Sequence, residues 1–196
     1  MRLPRAFFEQ DTQTVAKSLL GCRLVRREPD GEVTAGLIVE TEAYCGYRDA
    51  ACHSYKGKSE RTRAMFGPSG HAYIYLIYGM YHCFNVTSGP PGEPEAVLIR
   101  ALEPVEGLPR MSARRGTERV RQLLSGPGKL CIALDIHRGL YGLDLVDGTE
   151  LYLEATDSPP EVTASKRINI SYAGEAADYL WRFTVKDSPF VSVKPP

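Results

Sequence analysis

The sequence predicts an α+β fold: a single domain over residues 1–196 with a curved, mostly antiparallel β-sheet and surrounding helices. Three observations predict it. A length of 196 residues is typical of one domain. The first half contains β-rich runs separated by turn residues, which is the pattern of antiparallel hairpins. Apart from one short helix near the N-terminus, the helical pieces lie in one stretch before the C-terminal third, so helices and strands do not alternate along the chain.

The N-terminal part predicts a short helix. Asp11 or Thr12 can cap its first turn, and Gly21 fits its C-terminal end. Apolar side chains share one face of this helix, at Val15, Leu19 and Leu20.

Two strands joined by a tight turn follow the helix. The β-rich run from Cys22 to Arg27, the turn residues Asp30 and Gly31, and the second run from Val33 to Thr41 predict a hairpin. The centre of the second strand, residues 37–39, is entirely apolar, so we expect a central strand of the sheet.

A second hairpin is predicted from residues 72–77 and 81–86, which flank Tyr78, Gly79 and Met80. Alternation places Tyr73, Tyr75 and Ile77 on one face of its first strand. We expect the hairpin to protrude, with a tyrosine on each side of a glycine at its tip.

The rest of the chain predicts one more strand, several helical pieces and three short strands. Residues 96–101 form the strand, and residues 104–134 are helical in pieces that break near Gly107, Gly116 and Gly126. The C-terminal strands are predicted at residues 151–154, 166–171 and 181–186.

Cysteine spacing and hydropathy exclude several classes of protein. Five cysteines are an odd number, and none lies at metal-ligand spacing from another cysteine or a histidine, which disfavours a disulfide scaffold and a zinc site. No apolar run is long enough to span a bilayer, and the N-terminus lacks the pattern of a signal peptide. We expect a soluble cytoplasmic protein with no metal and no membrane partner.

The charges balance overall but are segregated along the chain. There are 24 Lys and Arg residues and 24 Asp and Glu residues. Residues 53–63 and 110–121 are basic, whereas residues 140–161 contain six acidic side chains and no Lys or Arg. Such segregation predicts a basic side and an acidic side of the molecule. Each run is equally compatible with an ordinary solvated surface.

Two carboxylates lie two residues apart near the end of the predicted central strand. Glu40 and Glu42 point to the same face of that strand. Most such pairs are simply solvated. Here the apolar strand continues into Ala43 and Tyr44, and an acid held beside an aromatic ring in a desolvated pocket can act as a general base.

The tip of the second hairpin is unusually apolar. Tyr78 and Met80 at a turn would be exposed, which suits a surface that wedges between or stacks on nucleic-acid bases. A contact between two copies of the chain is the alternative explanation.

Sequence blocks along nearly the whole chain carry a family resemblance. They are Glu40-Thr41-Glu42-Ala43-Tyr44, Ala51-Cys52-His53-Ser54, Arg63-Ala64-Met65-Phe66, Tyr73 to Tyr81 with Asn85, Arg100 to Pro104, Ser125 to Cys131, Ala173-Gly174-Glu175, and Ser188 to Val193. In order and spacing they resemble the alkyladenine (3-methyladenine) DNA glycosylase family, also described as the methylpurine DNA glycosylase type. The resemblance implies a single α/β domain with a DNA-intercalating hairpin, excision of alkylated or deaminated purines, and no cofactor.

The resemblance also implies the catalytic residues. Glu42 matches the catalytic glutamate, and Arg100 matches its partner in holding the attacking water. The main-chain carbonyl of Ile170 occupies a third water-positioning place. The next two residues, Ser171 and Tyr172, depart from the family's usual Gly-His, which leaves the local phosphate contacts open.

The residues that would bind the extruded purine follow from the same resemblance. Tyr44 would stack on one side of the base, and Tyr75 and His53 on the other. Asn85 matches the residue that crowds the 2-amino group of guanine, and the backbone near Ala51 would contact the purine edge.

The remaining implied contacts are to duplex DNA containing damaged purines, the expected partner. Tyr78 would intercalate, Met80 and Tyr81 would lie in the minor groove, and Arg61, Arg63 and Ser171 would contact the DNA backbone. We expect a nucleoid-associated monomer, and the short N-terminus is typical of bacterial members.

Two other functions remain open at the level of sequence. A damaged-DNA-binding or RNA-binding module could share the fold without the chemistry, although Glu42 and Arg100 are both present. A hydrolase of free nucleosides would need neither Tyr78 nor the basic segments.

Overall fold

A computed structural model describes residues 1–195. Within these residues the chain forms eight strands: β1 (Arg23–Arg27), β2 (Val33–Tyr44), β3 (Ala72–Ile77), β4 (Tyr81–Ser88), β5 (Glu95–Glu106), β6 (Leu151–Glu154), β7 (Val162–Ser165) and β8 (Arg182–Val185). The α-helices are α1 (Arg5–Phe8), α2 (Thr12–Ser18), α3 (Leu108–Arg115), α4 (Val120–Leu123) and α5 (Pro127–Ala133). Short 3₁₀ helices occur at Gly46–Arg48, His53–Lys56, Arg63–Phe66, Arg138–Leu140 and Ser171–Asp178.

All strand pairs are antiparallel, and β2 lies at the centre of the sheet. The strand order is β3-β4-β5-β2-β1-β6. One edge of β2 pairs with β5 along its length, whereas the other edge pairs first with β1 and then with β8. Register shifts between β2 and β5 near Ile38 and Glu40 bend the sheet, as β-bulges do. The predicted α+β fold with a curved antiparallel sheet is confirmed.

The main core lies between the sheet and the helices. Helix α2 packs on β2 and β5, and α5 packs on β4 and β5. Phe8, Phe84 and Phe183 are fully buried in this core. Because burial of one such side chain contributes about 1.5–3 kcal/mol, the packed helices fix the sheet that positions the site.

Most of the predicted elements are confirmed. Helix α2 has Asp11 as its cap, whose carboxylate accepts a hydrogen bond from the Thr14 N–H at 3.1 Å. Both predicted hairpins form, as β1–β2 and β3–β4. The helical pieces end or begin at Gly107, Gly116 and Gly126. Strand β2 extends to Tyr44 rather than Thr41, so both Glu40 and Glu42 lie inside the strand.

The prediction of helix from residue 104 is wrong for the first three residues, because β5 continues to Glu106. Pro104 pairs with Gly36 of β2. The N–H of Leu102 points to the outer edge of β5, where it donates to the carbonyl of Leu124 (3.2 Å). The nitrogen of Pro104 faces the same edge, beyond the part of β5 that pairs with β4, so its missing N–H breaks no strand pairing.

The strand predicted at residues 166–171 is also wrong. Strand β7 ends at Ser165, and the residues after it form a loop in which Asn169 has a φ of +59°. A positive φ is incompatible with an extended strand, so the alternation of Ile168 and Ile170 does not reflect strand pairing. A 3₁₀ helix over 171–178 follows the loop.

Candidate active site

A cavity of about 730 Å³ opens between the β3–β4 hairpin, helix α5 and the loop that follows β7. Seven residues predicted to act in catalysis or to bind the purine line it: Tyr44, Ala51, His53, Tyr75, Asn85, Arg100 and Ile170. Three residues predicted to contact DNA, Arg61, Tyr78 and Tyr81, also line it. Glu42, Arg63, Met80 and Ser171 do not. The fold therefore brings most of the predicted site residues together.

Glu42 lies directly behind the floor of this cavity. Its side chain is fully buried. Its Oε1 accepts a hydrogen bond from the Ile168 N–H (2.7 Å), and its Oε2 accepts from the Tyr44 hydroxyl (2.8 Å) and the Arg100 guanidinium (3.4 Å). All three donors line the cavity. Hydrogen bonds to both oxygens therefore fix the orientation of the carboxylate. The groups that lie between it and the cavity are its own hydrogen-bond donors.

Glu40 has a different environment, although it lies on the same face of β2. Its carboxylate accepts hydrogen bonds from Arg100 and Arg182, each 2.8 Å from the Nε donor, and from both the N–H and hydroxyl of Ser192. Burial alone would raise the pKa of Glu40, but Arg100, the Ser192 N–H and Arg182 outweigh it and lower the pKa below its usual range. Glu40 is thus an ionised, fully bonded carboxylate outside the cavity.

Tyr44 presents one face of its ring to a buried cation. The Arg167 guanidinium lies 4.8 Å from the ring centroid and forms a bidentate ion pair with Asp49, with distances of 2.6 and 2.8 Å. Asp49 in turn accepts from the N–H of Ala51 (3.0 Å), which fixes the loop that carries His53. Burial and the neighbouring Glu42 raise the pKa of Tyr44, so its hydroxyl stays protonated and donates.

The opposite wall is a cluster of aromatic rings. His53 and Tyr75 pack edge to face with centroids 4.7 Å apart, and His53 Nδ1 lies 2.8 Å from the Tyr73 hydroxyl. Arg61 lies 4.8 Å above the Tyr75 ring and 3.4 Å from His53 Nε2. Burial and Arg61 lower the pKa of His53 to about 4. The imidazole is therefore neutral, and because Arg61 can only donate, Nδ1 carries the proton.

Asn85 and Ile170 are held by hydrogen bonds of their own. The Asn85 amide donates to the carbonyl of Tyr73 across the β3–β4 pair (3.0 Å), which fixes its side chain at the cavity wall. The carbonyl of Ile170 accepts from the Ala173 N–H (3.0 Å), and one of its two lone pairs stays free of that bond. The N–H of Ile168, two residues earlier, is the group that contacts Glu42. Sequence reasoning missed it because a main-chain N–H has no side-chain signature.

Comparisons with known proteins identify the family. The family model for methylpurine-DNA glycosylase matches residues 6–189. The chain belongs to the methylpurine-DNA glycosylase family. The Methanocella arvoryzae protein named "Putative 3-methyladenine DNA glycosylase" is 51% identical over 195 residues, covering 99% of this chain and 97% of that protein. Proteins of the same name from Methanoculleus marisnigri and Bacillus cytotoxicus are 52% and 50% identical over 98% of this chain, covering 99% and 100% of their own lengths. The chain is therefore a DNA glycosylase, and DNA is its substrate.

The β3–β4 hairpin of this glycosylase presents an apolar tip. Tyr78 is 77% exposed and Met80 is 65% exposed. Tyr78 has a φ of +53° and Gly79 a φ of +70°, a pair of positive values typical of type I′ hairpin turns. Tyr81 packs on Gly128 of α5, where an added Cβ would lie 3.1 Å from the Tyr81 side chain. The hairpin is thus supported at its base while its tip stays exposed.

The basic segments are only partly free to contact DNA. Arg63 is exposed and lies 5.4 Å above the Tyr141 ring. Arg110 and Arg114 form ion pairs with Glu28, and Arg110 also pairs with Asp30. Only Arg115 of the 110–121 segment lines the cavity.

No metal-binding group or membrane-spanning helix occurs in the part of the glycosylase that the structure describes. No three His, Cys, Asp or Glu side chains in residues 1–195 are placed to hold a metal ion. None of the helices in this range is long and apolar enough to cross a bilayer.

Proposed function

We propose that this glycosylase excises alkylated and deaminated purines, including 3-methyladenine, from duplex DNA, and that it acts as a monomer on an extruded nucleotide. The observation that carries the proposal is Glu42, whose three hydrogen-bond donors all line an aromatic cavity large enough for a purine. The names of the relatives support 3-methyladenine as a substrate.

Glu42 would act as the general base. It takes a proton from a water molecule whose oxygen bonds to C1′ of the sugar, while the C1′–N bond breaks and the base leaves with the electron pair. Arg100 and the free lone pair of the Ile170 carbonyl would position that water. A 3-methyl- or 7-methylpurine in DNA already carries positive charge, so its departure does not require the second carboxyl group of ordinary glycosidases.

The aromatic walls would select the base. Tyr44 would stack on one face of the purine, and Tyr75 with His53 on the other. Electron-rich rings attract a cationic methylpurine more strongly than a neutral purine. A neutral His53 adds no repulsive charge, and the fixed Asn85 amide would clash with the 2-amino group of guanine.

Extrusion of the base would depend on the β3–β4 hairpin. Tyr78 would fill the gap left in the duplex, and Met80 and Tyr81 would contact the minor groove. Arg63 and Ser171 are exposed and available to backbone phosphates. Arg61 lies against Tyr75 inside the cavity, so it would move aside when a base enters.

The proposal is tested with Glu42→Gln. The amide keeps the shape of the side chain but cannot accept the proton, so we expect near-normal binding to damaged duplex and a loss of base release of about 10²–10⁴-fold. The measurements are binding by fluorescence anisotropy and free-base release in a single turnover. Glu32→Gln is the matched control, because Glu32 is an exposed carboxylate at the far end of the β1–β2 hairpin.

Other results would contradict the proposal. Base release within a few-fold of wild type in Glu42→Gln would place the general base elsewhere. Wild-type protein that binds methylated duplex without releasing base would be a binding module. Release from free nucleosides at the same rate as from duplex would make it a nucleoside hydrolase.

A further inference from the structure

Arg100 is shared unequally between two carboxylates of the same strand. Its Nε donates to Glu40 at 2.8 Å, whereas its Nη1 lies 3.4 Å from Glu42. Its Nη2 lies 3.3 Å from the Ser192 hydroxyl. The guanidinium is thus held on three sides, with its shortest contact to Glu40, whose other partners Arg182 and Ser192 do not line the cavity.

The side chains around the Arg100 guanidinium are almost completely buried. Glu40 and Arg182 have side-chain exposures of 0% and 1%, and Arg100 has 9%. The main chain and hydroxyl of Ser192 complete the contacts to Glu40, and the carbonyl of Val193 accepts from Arg182. A buried carboxylate with this many donors cannot reorient without leaving charges unpaired, which is costly.

We infer that Glu40 is a positioning residue that keeps the Arg100 guanidinium from closing on Glu42. The inference rests on the proposed role of Glu42 as general base. Arginine prefers a short bidentate pair with a carboxylate. Were Glu40 neutral, Arg100 would be free to form such a pair with Glu42. That pair would hold Glu42 ionised to lower pH, occupy the lone pair needed by the water, and make the carboxylate a weaker proton acceptor.

Other groups near Glu42 do not obscure this effect. Besides Arg100 and Glu40, the titratable or charged groups that act on Glu42 from the neighbouring elements are Tyr44, Tyr75, Cys83 and Arg167. Arg182 of β8 lies opposite Glu42 in register, but its guanidinium contacts Glu40, Ser165 and Val193 instead. Burial raises the pKa of Tyr44, Tyr75 and Cys83, so these groups stay neutral through the acid range. The arginines stay charged.

The test is the pH profile of 3-methyladenine release from methylated duplex by Glu40→Gln at saturating enzyme. We expect the plateau rate to fall about tenfold, less than the loss of the base itself. We also expect the acid limb to move to lower pH by about one unit, because a closer guanidinium favours the ionised carboxylate. Binding to damaged duplex should not change, and Glu40→Asp should restore part of the rate.

Two further variants keep the test decisive if Glu40→Gln folds poorly. The pair Glu40→Gln with Arg182→Gln removes one buried charge of each sign, so no cation is left without its partner, and it should show the same shift of the acid limb. Arg182→Gln alone keeps the Glu40–Arg100 contact and should leave the limb unmoved. Thermal unfolding establishes that each variant is folded.

An equal loss of rate at every pH, or an unchanged profile, would overturn the role of Glu40. That result differs from failure of the proposed function, which would appear as a normal rate and acid limb in Glu42→Gln. The two variants measured side by side separate the outcomes.

Discussion

At the scale of single residues, the site depends on keeping particular groups uncharged as much as on placing charges. His53 lies between Tyr73, Tyr75 and Arg61, and its burial and the nearby guanidinium lower its pKa to about 4. A protonated imidazole would repel both Arg61 and a cationic base. The low pKa of His53 therefore suits the proposed binding of positively charged purines.

This low pKa predicts how stability depends on pH. In the unfolded chain His53 has a pKa near 6.5, so as the pH falls below that value the unfolded state binds a proton that the folded state does not. Stability is thus lost between about pH 6.5 and pH 4. We expect the Tm of wild type to fall more steeply over this window than that of His53→Gln. His137→Gln, at an exposed histidine, is the control, and parallel curves for His53→Gln and wild type would contradict the assignment.

The parts of the candidate site that consist of distinctive side chains could be predicted from the sequence. The parts that depend on contacts between distant segments of the chain could not. An acid beside Tyr44 could be proposed from the residues because a carboxylate next to an aromatic ring carries a recognisable chemistry, whereas Arg100 is predicted only by the family resemblance. The strand pattern alone does not separate Glu42 from Glu40, which only the family resemblance does; the contact that holds Glu40 comes from Ser192, about 150 residues away along the chain. A strand pattern places both acids on one face but does not reveal which one faces a cavity.

At the scale of elements, the β3–β4 hairpin is packed against helix α5 at its base and is exposed at its tip. Tyr81 packs against Gly128, whereas Tyr78 is exposed in a backbone conformation with positive φ. Such a conformation is uncommon for a residue with a side chain and costs of order 1 kcal/mol or more. The strain is consistent with a residue held away from the protein surface for contact with another molecule.

The exposed hairpin tip leads us to expect that substitution of Tyr78 affects excision from two DNA substrates differently. Tyr78→Ala removes the ring that would occupy the gap in the duplex, so we expect weaker binding and slower excision from a paired lesion. A lesion in a destabilised mismatch should suffer less, because its unpairing costs less. Single-turnover excision from the two duplexes measures the difference. Tyr55→Ala, at an exposed tyrosine outside the hairpin, is the control, and equal losses on both duplexes for Tyr78→Ala would argue against a wedge.

The elements that sequence patterns predicted correctly are those with strong local signals. Asp11 as a cap, the Asp30-Gly31 turn and the glycine breaks in the helical stretch each fix backbone geometry locally. The errors at residues 104–106 and 166–171 have long-range causes. Pro104 is tolerated in β5 because its nitrogen faces an edge of the strand that pairs with no other strand of residues 1–195 at that position. The loop at Ile168 is held by a main-chain hydrogen bond to Glu42 of β2.

At the scale of the whole molecule, the formal net charge is zero, and some of the opposite charges neutralise each other in local ion pairs. Arg110 and Arg114 lie within the basic 110–121 segment, yet both pair with Glu28 from the β1–β2 turn. Arg115, on the same helix, lines the cavity instead. The basic character that the sequence assigns to this segment is therefore not equally available to a DNA partner.

This local neutralisation predicts opposite outcomes for two neighbouring arginines. The logarithm of affinity for duplex should fall linearly with the logarithm of salt concentration, with a slope of about −0.9 for each phosphate neutralised. We expect Arg115→Gln to reduce that slope by about one phosphate and to weaken damaged and undamaged duplex alike, because phosphate contacts carry no base information. We expect Arg114→Gln to leave the slope unchanged and to lower the Tm, because Glu28 is nearly buried and loses one of its two cations. An unchanged slope in Arg115→Gln would place Arg115 away from DNA, and a reduced slope in Arg114→Gln would show that its ion pair with Glu28 opens when DNA binds.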